Sequence, residues 1–323
     1  MSLASTYVLQ SQWLQANGPF SGDIYSFAVS GSNIFAGSNG GGVFLSADNG
    51  ATWKNVGSVA NGLSTTLVLA MGNTGSAVFA GTDGGGIFRT TDNGVSWLAV
   101  NVGLTNTVVH AFAVSGGNIF AGTNAGIFLS TNNGSSWSAV NGSLMNQHIT
   151  SLVVSGTSIF AGASPGGVYQ STNNGATWNQ VISGMTNTNV LSLAVSGSSL
   201  VAGTEGGVFL STNNGATWTA KNAGLADTSA HAVAFSGTTL FAGMYPGGVY
   251  RSADNGTSWT LVGTVAAGMA HTNVHTLAVV GSTIFSGNYG GIYSSVDNGA
   301  SWSTNVTGLC ASDVRAFAIL GST

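Results

Sequence analysis

The sequence predicts an all-β fold, a β-propeller of four-stranded antiparallel blades, and two observations predict it. The first is an eight-residue string that returns along the chain: SADNGATW, TTDNGVSW, STNNGSSW, STNNGATW twice, SADNGTSW and SVDNGASW. Its closing residues are Trp53, Trp97, Trp137, Trp178, Trp218, Trp259 and Trp302, spaced 44, 40, 41, 40, 41 and 43 residues apart. A period near forty with one aromatic per unit marks stacked supersecondary units. The second observation is the grammar inside each unit. Short runs rich in Val, Ile and Phe, bounded by Gly, Asn or Ser, read as strands joined by hairpins.

The third unit shows the elements in order. VVHAFAVSG from Val108 alternates like a strand, GNIFAG from Gly117 follows after a turn, and GIFLS from Gly126 comes next. The string STNNGSSW then leads into SWSAV, the fourth strand. We name these strands A to D, from centre to rim. Units that are apolar on both faces need a neighbour on each side, and a closed ring supplies one without end caps.

The string itself reads as a turn. Its third position holds Asp48, Asp92, Asn132, Asn173, Asn213, Asp254 and Asp297. A short Asx side chain there is expected to accept backbone N–H groups two residues on, fixing the C–D turn. The glycine that follows suits a positive φ, and the tryptophan is expected to pack between blades. Asp and Asn interchange freely among the repeats, which suits a turn staple and argues against a general acid or a metal ligand.

The ends fit the same frame. Trp13, in WLQANGPFSGDIYSFAVSG, matches a strand D followed by a strand A, and Asp313 to Leu320 reads as a further strand A. The expectation is a single propeller domain over 1–323, with complete repeats over about 20–305. Residues 1–19 would be an extra outer strand and 306–323 an extra inner one. Seven complete blades follow, and a composite eighth built from both termini stays open.

Composition narrows the function classes. Charged residues make up 4% of the 323, against roughly a quarter in ordinary globular chains. With five Lys and Arg and a net charge of −4, no cationic cluster exists to neutralise a phosphate backbone, so nucleic acid is excluded. No apolar run reaches the ~18 residues of a membrane span. Cys310 is the sole cysteine, which rules out an intrachain disulfide or a cysteine-based zinc site. The Met1–Gln10 stretch has neither the basic start nor the apolar core of a signal peptide. A polar, Lys-poor surface rich in Asn and Thr nevertheless points to a secreted or cell-surface bacterial protein in trimmed form. It is expected to be a monomer without a cofactor.

The pattern S-x-D-x-G-x-T-W resembles the Asp-box, or BNR repeat, of sialidase-like and photosystem II assembly factor-like propellers. The resemblance covers nearly the whole chain and implies the superfamily fold. It implies little about activity, because the same box occurs in sialidases, xyloglucan-type glycosidases, sorting receptors and non-enzymatic surface proteins. Sialidase chemistry, as the family implies it, needs an arginine cluster, a tyrosine nucleophile with a glutamate, and an acid Asp. This chain has Arg89, Arg251 and Arg315, and the first two fall at one repeat position beside the box. The family's Arg-Ile-Pro motif is absent, as is the arginine patch of a photosystem assembly-like factor.

Other glycosidases need two carboxylates, about 5 Å apart for retention or about 6.5–9.5 Å for inversion. Outside the boxes the carboxylates are Asp23, Asp83, Glu205, Asp227 and Asp313. Strand direction puts B–C and D–A loops on one face and the boxes on the other. Asp83 and Glu205 take the same B–C position three blades apart, too far for a catalytic pair. No G-x-S-x-G elbow is present.

The same face collects the histidines. A variable position opening strand A holds Tyr25, Leu67, His110, Thr150, Leu191, His231, His275 and Arg315, while His148 and His271 fall in D–A loops. Blades three and six stand apart in a ring, so no metal site is expected. Tyr245 and Tyr289 stand in B–C loops of adjacent blades, where exposed tyrosines suit a sugar or a protein partner. The reading is a non-enzymatic scaffold that displays its D–A and B–C loops to a protein or glycan. The candidate contact residues are Tyr25, His110, His231, His275, Arg315, Asp83, Glu205, Tyr245 and Tyr289. A glycoside hydrolase of sialidase or xyloglucanase type is the alternative.

Overall fold

The computed structural model describes residues 24–304 apart from Asn49, Ala51, Met145, Tyr289 and Gly290. The chain forms seven four-stranded antiparallel sheets in sequence order, over 24–57, 68–99, 109–139, 149–180, 190–220, 230–263 and 274–304. Two short 3-10 turns, Val59–Asn61 and Gly142–Leu144, are the helical content of the described residues. Each sheet is ordered A-B-C-D, and the A strands pack beside one another around the ring. The protein is a seven-bladed β-propeller.

Blade 3 shows why the sequence folds this way. Its strands are Val109–Ser115, Asn118–Thr123, Gly126–Ser130 and Ser138–Ala139. The A–B turn is Gly116-Gly117 with φ of 57° and 86°, the doubly left-handed backbone a two-residue hairpin demands. Strand B is NIFAGT, buried from Ile119 to Thr123, because its two faces lie against two neighbouring blades. Core clusters accordingly straddle the seams and not the blades. One gathers Phe160, Val168 and Val181 of blade 4 with Leu193, Phe209 and Trp218 of blade 5.

The tryptophans are the rivets of those seams. Six of them donate their ring N–H to a carbonyl on, or one residue past, strand D of the preceding blade, in regular order: Val56, Val100, Val140, Val181, Lys221 and Val262. Each acceptor lies three residues beyond the preceding blade's own tryptophan.

The turn staple differs in register from the expected one. Asp48 Oδ1 accepts from the backbone N–H of Thr52, four residues on, at 2.8 Å, and Oδ2 accepts from the Thr52 hydroxyl. The hydroxyl that opens the box does the shorter-range work: Ser46 Oγ donates to Asp48 and accepts from the backbone N–H of Gly50. Where Asn replaces Asp the geometry survives, since Asn132 Oδ1 accepts from Ser136 N–H and Asn132 Nδ2 donates to the Ser136 hydroxyl. The serine hydroxyl simply reverses its role. The box also bends through two left-handed residues, such as Asn133 (φ 54°) and Gly134 (φ 80°). Asparagine tolerates that region better than other side chains.

Those hydrogen bonds hold the carboxyls of Asp48, Asp92, Asp254 and Asp297 down to about 2 from an ordinary 3.8, led in each case by the hydroxyl four residues on. A depressed folded-state value means the stabilisation is complete above 3.8 and is lost as pH falls toward 2. The thermal midpoint should therefore drop across that window. A variant with all four replaced by Asn should show a flatter acid limb, and an unchanged limb would remove these boxes from the acid sensitivity.

Blade 7 packs directly on blade 1, bringing Ala278, Phe285 and Ile292 against Phe27, Phe44 and Trp53. Among the described residues no further blade stands between them. The extra strands assigned to 1–19 and 306–323 lie outside the described residues.

Candidate functional site

The B–C and D–A loops share a face and are bolted together by their backbones. Gly84 and Gly86 donate to Thr107 O, Ser164 to His148 O, Glu205 to Asn189 O, and Tyr245 to Ser229 O. The first two tie the B–C loop of blade 2 to the loop entering blade 3, and the other three each tie a B–C loop to the loop entering its own blade. This face is a fixed surface built from paired segments.

Strand A contributes a recurring irregularity to it. Its pairing with strand B skips one residue near the start of every blade, a β-bulge. The skipped residues are Tyr25, Leu69, His110, Thr150, Leu191, His231 and His275. They coincide with the variable position of the sequence, except in blade 2, where Leu69 takes the place expected of Leu67. A bulge releases a side chain from the ladder and re-aims it. Sequence variability there has a backbone cause.

Two clusters form where bulged histidines meet loop residues. In the first, the rings of His110 and His148 lie 4.5 Å apart, and His110 Nε2 is 2.8 Å from Asn124 Oδ1 of the B–C loop. Asp83 joins the same neighbourhood through a backbone bridge to Val108. Burial pushes the His110 imidazole below its ordinary value, and nearby His148 adds to this. The Asn124 hydrogen bond and the charge of Asp83 act the other way. Burial also lowers His148.

The second cluster spans blades 6 and 7. The Tyr245 ring is 5.0 Å from His231 and 4.8 Å from His275, and the two imidazoles are 6.0 Å apart. Three rings from two bulges and one B–C loop thus form a continuous aromatic patch. Tyr245 is half-buried and not the exposed loop residue expected, because both imidazoles cover it; His275 is only 7% exposed. What the sequence carried of this was histidine at one repeat position in two successive units.

The other candidates are scattered. Tyr25 is buried in blade 1 to the same degree as His275. Glu205, on blade 5, accepts from Asn189 Nδ2 at 2.6 Å. Tyr289 and Arg315 lie outside the described residues. Arg89 and Arg251 sit at the box end, where each donates to a box carbonyl of the next blade, Asn133 O and Asn298 O. They tie blades together, a role the sequence reading missed. Among the described residues no group of three His, Cys, Asp or Glu could hold a metal ion, and no helix is long and apolar enough to cross a membrane.

Comparison with known proteins agrees on the fold. A family described as DUF6242 beta propeller domain matches residues 104–232. No curated protein matches the sequence. Among solved structures, an ancestral GH74 enzyme is similar over 90% of this chain and 47% of its own, with TM-score 0.69 and 20% identity. This chain thus spans about half the length of that enzyme. YCF48 bound to D1 peptide is similar over 72% of this chain and 78% of its own, with TM-score 0.57 and 16% identity. The extracellular domain of a protein described as a putative hybrid two component system from B. thetaiotaomicron is similar over 85% and 44%, with TM-score 0.64 and 14% identity.

Proposed function

We propose that this protein is a non-enzymatic propeller scaffold of the Asp-box kind, secreted or displayed at the cell surface. It binds a protein segment on its D–A/B–C loop face, with His231, Tyr245 and His275 at the centre. The observation that carries this is the three-ring patch. Aromatic rings with few free torsions give large contact area at small entropic cost, and they head the residues that dominate interfaces. A chain with 4% charged residues has little else with which to hold a partner.

Two likenesses support the reading. One structural neighbour has a peptide bound, and another is an extracellular domain. The GH74 likeness, at 20% identity, carries the fold alone. Against a hydrolase stand the positions of the loop carboxylates. Asp83 accompanies His110 between blades 2 and 3, whereas Glu205 is tied to Asn189 on blade 5. That is not the facing pair that glycoside hydrolysis requires.

The test is to pan a random peptide library and screen a glycan array with the protein and with Tyr245→Ala. Peptide ligands are expected, and the substitution should weaken them by about 2 kcal/mol, on the order of thirtyfold. Hits confined to glycans, or peptide hits indifferent to Tyr245, would overturn the proposal.

A further inference from the structure

The box turn needs two left-handed residues in succession, and the pair that meets this need is chemically fragile. In blades 2 to 7 the first is an asparagine, Asn93, Asn133, Asn174, Asn214, Asn255 or Asn298, with φ between 53° and 57°. The second is a glycine with φ between 76° and 87°. Glycine adopts this backbone freely, and asparagine is one of the few other residues that visit it. Asn-Gly is also the dipeptide most prone to deamidation, because glycine has no Cβ to crowd the ring that forms. Each of these asparagines is exposed or half-buried, so water reaches its side chain.

The reaction runs through the amide nitrogen of the glycine. That nitrogen gives up its proton and bonds to Cγ of the asparagine, while the Cγ–Nδ2 bond breaks and ammonia leaves with the proton. Water then opens the cyclic imide at either carbonyl, leaving aspartate or isoaspartate.

In all six boxes that N–H is occupied. Gly94, Gly134, Gly175, Gly215, Gly256 and Gly299 are buried, and each donates to the hydroxyl that opens its box at 2.8 or 2.9 Å. The residues that carry these hydroxyls, such as Thr90, Ser171 and Ser295, are at most 2% exposed. A buried, bonded amide loses its proton only when its surroundings open, as in amide hydrogen exchange. The third-position side chain bonds elsewhere, as Asn173 does with Thr177, so the cover over the glycine comes from the opening hydroxyl.

We propose that the Asn-Gly peptide of each of these boxes is a latent site of intramolecular deamidation, held shut by the hydroxyl that opens the box. This gives the invariant Ser or Thr of the repeat a task that the turn alone does not explain: it keeps a necessary but labile dipeptide intact.

The test incubates the full chain at mildly alkaline pH and locates converted asparagines by chymotryptic peptide mapping and mass spectrometry. Ser171→Ala should speed conversion of Asn174 roughly tenfold or more. Asn214, in the intact box of the next blade of the same molecule, should keep its slow rate and so report that the ring stays folded. Ser171→Thr, which supplies the hydroxyl that blade 2 uses, should leave Asn174 slow. Thr177→Val removes the bond from Asn173 Nδ2 but spares the glycine's, and should change little. Should Ser171→Ala fail to fold, Ser130→Ala read at Asn133 gives the same test in blade 3. An unchanged rate at Asn174 in Ser171→Ala would overturn the proposal. So would an equal rise at Asn174 and Asn214, or a rise in Thr177→Val as large as that in Ser171→Ala.

Discussion

Replacing Trp218 by alanine is expected to cost about 3–5 kcal/mol of folding stability. The side chain is 3% exposed and sits between blades 4 and 5, among Phe160, Val168, Val181, Leu193 and Phe209. Its removal leaves a cavity that two β-sheets cannot collapse to fill, since each is held by its other neighbour. It also strips Val181 O of the ring N–H that reaches it at 2.8 Å. Trp218→Phe separates the two effects: most of the volume stays and the hydrogen bond goes, for about 1 kcal/mol. Guanidinium titration followed by circular dichroism reads both. A loss below about 1 kcal/mol in the alanine variant would mean that the tryptophan is not the seam's main filler.

The second large effect is expected at a glycine. Gly103 has φ of 83°, and a Cβ placed on it would stand 2.0 Å from the carbonyl oxygen of Trp137. Gly103→Ala must therefore bear the left-handed penalty of about 1–2 kcal/mol and also push the box of blade 3 outward. Gly75 supplies the control, because its φ is 84° and nothing lies within 4 Å of its virtual Cβ. Gly75→Ala should show the backbone penalty alone, so the difference between the two variants measures the close approach across the seam. Equal losses would mean that the Trp137 carbonyl yields freely.

How far the sequence discloses this structure depends on how local each feature is. Hairpin turns, box turns and the tryptophan spacing are set by neighbours within about ten residues, and they gave the blade order, the seven units and the face shared by B–C and D–A loops. The register of the box bond was misjudged by two residues because Ser46 Oγ, not Asp48, serves the nearer amides. The strand-A bulge is invisible in one strand, since it exists only as an offset against strand B; hence Leu67 was expected where Leu69 stands. The cover over Tyr245 comes from His275 of the next blade, thirty positions along, and no pattern within blade 6 announces it. Sequence reading named His231, Tyr245 and His275 separately and expected Tyr245 to be more exposed than it is.

The seam between blades 7 and 1 has a consequence for how the chain reaches its folded form. Every other contact between blades joins segments about one repeat apart, so the order of assembly follows the order of the chain. Phe27 and Ala278 are brought together across 251 positions. The entropy of closing so long a loop exceeds that of closing one repeat by about 1.5 kcal/mol, because the cost grows only with the logarithm of length. That surcharge is modest beside what it secures. Once the circle is shut, no blade can leave by breaking one boundary, and fraying from an end, the usual weakness of a stacked array, has no place to begin.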